Sequence, residues 1–190
     1  MRSVTYSMGV SVDGYIAGPD GDFDWSASDD ELFRFATDQL REVGVHFMGR
    51  RLYELMLYWE TADQDPSLDE ARLEWAALWK ALPKVVFSTT LSTVRGSNTR
   101  LASGGLAEEI ETWRAEPGEG NIALGGATLA AEAAALGLID EYRPKVHPVL
   151  VGGGTPFFPQ HERRVDLEIV ETRAFTSPSK VIYLRYRVAR

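Results

Sequence analysis

Three short apolar segments of this sequence run directly into residues that could bind an anion. A pair of arginines follows the first segment, three hydroxyl residues follow the second, and a glycine pair opens a helical pattern after the third. Guanidinium and hydroxyl groups donate hydrogen bonds to phosphate oxygens, and glycines before a helix let a phosphate reach its free backbone amides. The residues concerned are Gly49, Arg50, Arg51, Ser88, Thr89, Thr90, Gly125, Gly126, Ala127 and Thr128. Together they favour an extended ligand that carries a polyphosphate.

Each of these signals is weak by itself. A glycine pair before a helix is also typical of a plain tight turn, and Arg50-Arg51 could be the solvated start of a helix. If the three strands are parallel, however, their carboxyl ends share one edge of the sheet, where open α/β folds bind ligands. The Walker A phosphate loop and the Gly-x-Gly-x-x-Gly fingerprint are both missing from the sequence. Any nucleotide would therefore be held by a different arrangement.

The elements that must position these residues alternate between strand-like and helix-like patterns, which predicts an α/β sheet built by crossover connections. Residues 3–12 alternate as a strand whose second face is made of small residues and suits water, a helix or a ligand. Two helix starts have the spacing of capping boxes, Ser28 with Glu31 and Ser67 with Glu70. The predicted helices are about 28–42, 52–59, 67–82, 106–113 and 126–136, and the predicted strands are 3–12, 45–48, 84–88, 122–124, 139–150, 165–174 and 180–188, with a hairpin turn at Ser177-Pro178-Ser179. Parallel strands are expected first and antiparallel strands last.

Composition narrows the class of protein. The chain of 190 residues has 20 Lys and Arg against 28 Asp and Glu, and its net charge of −8 argues against a nucleic-acid or anionic-membrane surface. The absence of Cys excludes disulfides, thiolate metal sites and Cys nucleophiles, and His46, His147 and His161 lack metal-ligand spacing. No apolar run reaches the roughly 20 residues of a membrane span. We expect one soluble, cytoplasmic domain over residues 1–190, with no metal.

Five blocks of the sequence resemble the dihydrofolate reductase superfamily, and in particular the reductase domain of the bifunctional riboflavin-biosynthesis deaminase/reductase. They are 11–17 (SVDGYIA), 48–54 (MGRRLYE), 85–91 (VVFSTTL), 124–126 (LGG) and 139–154 (IDEYRPKVHPVLVGGG). The blocks follow one another in the family's order within about residues 3–158. Jointly they are specific, whereas any one of them alone would not be.

The resemblance implies a dihydrofolate-reductase-like, three-layer α/β/α fold with a mostly parallel central sheet of about eight strands and antiparallel C-terminal strands. It also implies a homodimeric, NADPH-dependent reductase that transfers a hydride to a small heterocyclic or carbonyl/imine substrate, as in riboflavin biosynthesis. The adenosine ribose-phosphate end would lie against Gly49, Arg50, Arg51, Ser88, Thr89 and Thr90, the pyrophosphate against Gly125, Gly126, Ala127 and Thr128, and the nicotinamide against Val12, Asp13, Ile16 and Ala17. By their places in the sequence, Trp25 before a helix could line the substrate pocket, and Gly153 and Gly154 after a strand could form either a wall of this pocket or a plain loop.

Three residues depart from the expected pattern. Leu52 replaces a threonine of the family's Gly-Arg block, and Thr89 replaces an arginine often found after the strand-end serine. Selectivity for NADPH is therefore open, and NADH is an alternative. Pro144 falls inside a predicted strand, where a residue without an amide hydrogen is expected at a sheet edge or a bulge.

Hydride transfer must be matched by a proton, and in folate reductases a carboxylate follows a tryptophan at the start of the first helix. Asp30 is the first candidate for this acid and Asp29 the second, since both follow Trp25. Acidic residues in a first helical turn also complement the helix dipole, so that alternative stays open. The cations that could meet a phosphorylated substrate, without further assignment, are Arg143, Lys145, Arg163 and Arg164.

Two other classes of protein fit the same patterns. One is a non-catalytic nucleotide-binding or sensor protein that retains the cofactor groove. The other is a structural oligomeric domain whose glycine turns bind nothing. Titration with NADPH and NADH separates the structural domain from the other two. Substrate-dependent oxidation of the reduced cofactor separates a reductase from a sensor.

Overall fold

The fold is built on one eight-stranded sheet in the order β5-β4-β3-β6-β1-β7-β10-β9, with a separate two-stranded ladder of β2 and β8. The computed structural model of the protein describes residues 1–159, 164–176 and 178–189. The strands are β1 Val4–Ser11, β2 Tyr15–Ala17, β3 Val43–Gly49, β4 Lys84–Phe87, β5 Thr99–Leu101, β6 Asn121–Gly125, β7 Glu141–His147, β8 Thr155–Pro156, β9 Leu167–Ala174 and β10 Ile182–Val188. The first six strands of the large sheet, from β5 to β7, pair in parallel, and β10 and β9 run antiparallel. The predicted order of parallel and then antiparallel strands is confirmed.

Helices cover both faces of this sheet, as buried parallel strands require. They are α1 Asp30–Arg41, α2 Arg50–Met56, α3 Tyr58–Thr61, α4 Glu70–Ala81, α5 Leu106–Ala115 and α6 Ala127–Ala135. Residues of α5 and α6 share a core with β1, β3 and β6, whereas α2 and α4 pack with β3 and β4 on the other face. Leu32 and Phe35 of α1 pack against the C-terminal strands. The three-layer α/β/α architecture of a dihydrofolate-reductase-like fold is therefore confirmed.

Both predicted capping boxes are wrong, because an aspartate nearer to the helix caps it. Asp29 precedes α1 and accepts a hydrogen bond from the Leu32 amide at 2.9 Å, and Asp69 does the same for α4. The Ser67 hydroxyl instead donates to Asp65 at 2.6 Å. Aspartate caps as well as serine does, and its charge also complements the positive end of the helix dipole.

Pro144 lies in an interior strand, so the expectation of a sheet edge is wrong. β7 runs between β1 and β10, and Pro144 is aligned with Met8 of β1. On the β10 side the ladder is interrupted, because Tyr183 pairs with Lys145 and Tyr186 with Tyr142 but no pair forms between them. This gap accommodates the missing amide hydrogen. The predicted turn residue Ser177, and also His161 and Arg163, lie outside the described residues.

The described part of the chain contains no helix long and apolar enough to cross a bilayer. Within the same residues, no group of three or more His, Asp and Glu side chains could hold a metal ion.

Candidate functional site

The three predicted anion-binding junctions lie at one edge of the sheet. Gly49 at the end of β3 is aligned with Phe87 of β4, and Met48 is aligned with Gly125 of β6. Because these strands are parallel neighbours, the residues that follow them emerge side by side. The structure thus brings together the arginines, the hydroxyl residues and the glycine pair.

Arg50 and the hydroxyl residues after β4 form a single hydrogen-bonded group. Arg50 Nη1 donates to Thr90 Oγ1 at 2.9 Å, and the Thr90 and Ser88 hydroxyl oxygens lie 3.3 Å apart. Ser88 Oγ also accepts from the Leu91 amide at 3.1 Å, which fixes the turn. Arg50 Nε is paired with Glu54 at 2.7 Å, so a phosphate would compete with this carboxylate. Thr89 and Arg51 are both exposed at the same edge.

The two glycines after β6 have different roles. A side chain at Gly125 would overlap Leu52 Cδ2 and lie 2.6 Å from His46 Cε1, so packing within the protein requires this glycine. Gly126 has φ +96° and faces open space, because no atom lies within 4 Å of its ideal Cβ position. It caps α6, whose first turn includes Ala127 and Thr128. An exposed glycine before free helix amides fits a diphosphate.

Asp13 joins the loop after β1 to the glycine-rich loop after β7. Its carboxylate accepts hydrogen bonds from the Gly152 amide at 2.7 Å and from the Val151 amide at 3.2 Å. The Ser11 hydroxyl, followed by these amides, lowers the pKa of Asp13 below its ordinary value. The backbone adds a bond from the Val12 amide to Val149 O at 2.9 Å. Asp13 therefore holds two loops together at the predicted nicotinamide end.

Of the two predicted substrate-side glycines, Gly154 is required by close backbone packing. At Gly154, with φ +118°, a Cβ would overlap the carbonyl oxygen of Ala17, whose strand pairs with β8. Gly153 also has a positive φ, of +151°, and lies near Pro19. Ile16 packs against the main core. Val12, Asp13, Ile16, Ala17, Gly153 and Gly154 thus belong to one joined pair of loops.

Trp25 packs edge-on against His147 at the end of β7, with ring centroids 5.7 Å apart. His147 is buried, and this burial, followed by the charge of Lys145, lowers its pKa. The indole Nε1 of Trp25 is also buried and has no hydrogen-bond partner among the described residues. The sequence predicted a place at the substrate site for Trp25. For His147 it argued against metal binding and predicted no other role. The sheet brings Gly9 and His147 together, because a Cβ added at Gly9 would lie 3.2 Å from His147 Nε2.

A cavity of about 210 Å³ lies between the sheet and the layer formed by α1, α2 and α4. Its walls are mostly apolar and include Met56 and Trp75. The polar side chains that line it are Thr5, Ser7, Gln39, His46, Asn121, Arg143 and Lys145. Two of its lining residues, His46 and Leu52, are the ones that contact Gly125, so the cavity adjoins the glycine junction.

Two basic side chains in this cavity have strongly perturbed pKa values. Burial, followed by the charge of Lys84, lowers the pKa of His46 to about 4, and its Nδ1 has no hydrogen-bond partner among the described residues. Burial, followed by the charge of Arg143, lowers the pKa of Lys145 to about 8. Lys145 Nζ donates to Ser7 Oγ at 3.0 Å and to Gln39 Oε1 at 3.3 Å. The sequence identified Lys145 only as an unassigned cation.

The two predicted acids have other partners. Asp29 caps α1 and also accepts from the Ser179 amide at 2.8 Å, which ties the helix start to the C-terminal hairpin. The side chain of Asp30 is 73% exposed and lies 3.5 Å from Arg72 Nη2 of α4. Neither residue lines the cavity. The expectation that Asp30 supplies a proton therefore gains no support from this geometry, because the carboxylate is a surface ion-pair partner.

Larger cavities occur at the opposite, amino-terminal edge of the sheet. The first, of about 530 Å³, is lined by Arg2, Glu42, Glu141, Arg143 and Arg185 among others. Its charges compensate one another: Glu141 accepts from both Arg143 and Arg185 at 2.8 to 3.1 Å. By its volume alone this cavity would be the first candidate for the ligand site. The glycine and hydroxyl junctions, however, lie at the other edge of the sheet.

Comparison with known proteins agrees with the fold. A chain with the description "Uncharacterized protein YyaP", from Bacillus subtilis (strain 168), is 30% identical over 179 residues, which cover 93% of this chain and 90% of that one. A putative riboflavin biosynthesis protein from Shewanella sp. PV-4 matches with a TM-score of 0.77 and 21% identity over 100% of both chains. Dihydrofolate reductase from Enterococcus faecalis, complexed with NADP(H), matches with a TM-score of 0.64 and 16% identity over 99% of this chain and 97% of that one.

The sequence also matches a family model over nearly its whole length. The matched residues are 2–181, and the family is described as the RibD C-terminal domain. They include every residue of the candidate site described above. This protein therefore belongs to the RibD C-terminal domain family.

Proposed function

We propose that the protein is a reductase that uses a reduced nicotinamide dinucleotide, with NADPH as the first choice, to transfer a hydride to a small heterocyclic or carbonyl/imine substrate. The observation that carries this proposal is the convergence of Arg50, Ser88 and Gly126 at one sheet edge, next to a largely apolar, partly open cavity. Membership of the RibD C-terminal domain family supports a reductase-type function. The structural relative from Enterococcus faecalis was solved with NADP(H).

The residues at this edge divide into two parts for such a cofactor. The Gly126 backbone and the first turn of α6 would hold the diphosphate, since helix amides and their dipole attract anions. Arg50, with Ser88 and Thr90, would hold the adenosine ribose-phosphate end once Glu54 is displaced from the guanidinium. A cation here favours the additional phosphate of NADPH, whereas the neutral Thr89 leaves NADH as an alternative.

The loops joined by Asp13 would form the nicotinamide end. When bound, a reduced nicotinamide supplies the hydride. The chain has to orient it against the substrate and exclude water, and the half-buried Trp25 beside the buried His147 would do both at this end. The cavity next to the glycine junction would hold the substrate.

A non-catalytic nucleotide-binding protein is the second candidate. One observation favours it: both carboxylates expected to act as the acid are occupied, one as a helix cap and one in a surface ion pair. Oxidation of the reduced cofactor with a substrate present separates the two candidates.

Titration with NADPH and NADH, followed by protein fluorescence, tests the proposal. Gly126→Val is expected to weaken NADPH binding by about tenfold or more, because a side chain would cover the amides that face open space. Gly137→Val, at the other end of α6, is the control, since Gly137 also has a positive φ, of +68°. Equal NADPH affinity in both folded variants would exclude the diphosphate site proposed at Gly126.

The single-domain extent over residues 1–190 and the homodimer stay predictions. Sedimentation equilibrium of the full chain measures the oligomeric state directly, and a monomer at micromolar concentration would contradict the predicted homodimer.

A further inference from the structure

We propose that Lys145 is the substrate-binding cation of this protein, and that its ammonium group donates a hydrogen bond to a carbonyl oxygen or oxyanion on a planar ring held in the 210 Å³ cavity. The inference rests on the proposed function for the choice of this cavity as the substrate site. It goes further by naming the residue that recognises the substrate and the chemical group that is recognised.

The first observation is that Lys145 has only neutral partners. Its two hydrogen-bond acceptors are the Ser7 hydroxyl and the Gln39 amide oxygen. Among residues 1–159, 164–176 and 178–189, no carboxylate oxygen lies within 4.0 Å of its Nζ. Charged groups removed from water are normally paired, because desolvation disfavours an isolated charge.

Two buried cations near this half-buried lysine, Arg143 and Lys84, follow the usual rule. Arg143, two residues earlier on the same strand, is paired with Glu42 and Glu141 at 2.9 Å. Lys84 donates to two backbone carbonyl oxygens and lies 3.8 Å from Glu60. Lys145 therefore differs from both, because its acceptors are neutral oxygens and no carboxylate pairs with it among the described residues.

The second observation is the space in front of this lysine. β7 is aligned with β1 so that Lys145 lies opposite Gly9 and Arg143 opposite Ser7. Residues opposite one another in a sheet project to the same face. The small side chain of Ser7 therefore leaves room beside the basic side chains on β7, whereas His147 and Ser26 occupy the space over Gly9. This room is part of the cavity, which both Ser7 and Lys145 line.

The walls of the cavity define the shape of its ligand. Apolar side chains, including Met56, Trp75 and Leu40, line it on the helix side. Its volume of about 210 Å³ is below the roughly 300 Å³ at which drug-sized ligand pockets begin, so it suits one ring or two fused rings. Apolar walls with donors at one side match a flat ring that carries oxygen at its edge. The buried, unpaired Nδ1 of His46 offers a second polar contact.

Two ring compounds of equal shape test this inference. The first probe is barbiturate, a planar ring with three oxygens and a negative charge at neutral pH. The second is 2,4,6-triaminopyrimidine, in which three amino groups replace the oxygens. Calorimetry at pH 7 is expected to show that the protein binds barbiturate at least about tenfold more tightly, because a charge-assisted hydrogen bond forms only with the oxygens.

Variants of single lysines identify the residue. Lys145→Met is expected to lower the affinity for barbiturate by at least about tenfold, and Lys80→Met, which removes a surface partner of Asp63, is expected to leave it unchanged. The chain has four lysines, so side-chain ¹⁵N resonances provide a second readout. Only the Lys145 resonance should move strongly when barbiturate binds.

Some results would overturn the inference. They are absence of barbiturate binding to the wild-type protein, equal affinity for the two probes, and unchanged barbiturate affinity in a folded Lys145→Met variant. A melting temperature well below that of the wild type for this variant would also overturn it, because it would assign Lys145 a structural role. NADPH titration is run separately: Lys145-dependent probe binding without NADPH binding would refute the reductase proposal instead.

Discussion

Raising the pH from 7 to about 10 is expected to stabilise the ligand-free protein, because it removes the charge of Lys145. Burial, followed by the charge of Arg143, lowers the pKa of Lys145 from 10.5 to about 8. Between these two values the unfolded chain binds more protons than the folded chain does. The free energy of unfolding therefore rises with pH in this window.

The magnitude follows from the difference between the two pKa values. At roughly 1.36 kcal/mol per pKa unit, the charge of Lys145 costs about 3 kcal/mol of stability at neutral pH. Lys84, whose pKa burial also lowers to about 8, contributes an effect of the same sign. Lys145→Met removes one of the two charges, so it should be about 1 to 3 kcal/mol more stable than the wild type at pH 7. The lost hydrogen bonds to Ser7 and Gln39 reduce the gain.

The other groups that face Lys145 do not titrate in this window. Burial lowers the pKa of both His46 and His147. Burial also raises the pKa of Tyr183, which is aligned with Lys145 on β10. The response between pH 8 and 10 therefore reports on the buried lysines.

Urea unfolding at pH 7, 8, 9 and 10 measures this effect, with Lys80→Met as the control for loss of a surface lysine. The wild type and the control should gain stability as the pH rises, and Lys145→Met should gain about half as much. If Lys145→Met were less stable at pH 7 and kept the full pH dependence, the charge of Lys145 would not be the destabilising group.

Three further predictions follow from the geometry. Asp30→Asn should change neither stability by more than about 0.5 kcal/mol nor cofactor oxidation by more than about twofold, since the carboxylate forms an exposed ion pair; a tenfold loss of turnover would restore Asp30 as the acid. Gly125→Ala should destabilise by about 1 to 3 kcal/mol through overlap with Leu52, whereas Gly49→Ala, where the added Cβ meets nothing within 4 Å, should be nearly neutral in thermal unfolding. Glu109→Gln should lower the free energy of unfolding by about 2 kcal/mol at pH 7 and by almost nothing at pH 2. Hydrogen bonds from Arg100 lower the pKa of Glu109 from 4.5 to about 2, so the stabilising effect of this carboxylate is lost as the pH falls from 4.5 to 2. An equal loss of stability at both pH values in urea unfolding would contradict this.

The sheet could be predicted from the sequence because its strands are short, apolar and separated by helical patterns. The segments around Phe47, Val86 and Ile122 are buried strands, as their apolar runs indicated. The helix starts were predicted less well, since Ser28 and Asp29 are both good capping residues and only the backbone geometry decides between them. Pro144 was misplaced because sequence alone does not show that a neighbouring ladder can omit a pair.

The candidate site was predicted only where residues close in sequence carry the signal. The arginine pair, the hydroxyl run and the glycine pair each lie within three or four consecutive residues. Lys145 and Ser7 are 138 residues apart and meet only because β1 and β7 are neighbours in the sheet. Burial gives Lys145 its character, and burial depends on helices packed from another part of the chain.

The position of Gly125 predicts that NADPH and a ring compound in the cavity would influence each other's binding. The Gly125 backbone lies directly against the His46 and Leu52 walls of the cavity and precedes Gly126, so it forms a thin partition between this cavity and the diphosphate junction proposed at Gly126. A displacement of this thin partition by one ligand would change the space available to the other. Ligand binding at the diphosphate junction and in the cavity should therefore be thermodynamically linked. The dissociation constant for NADPH should change when the cavity is filled, and the dissociation constant for the ring compound should change by the same factor when NADPH is bound.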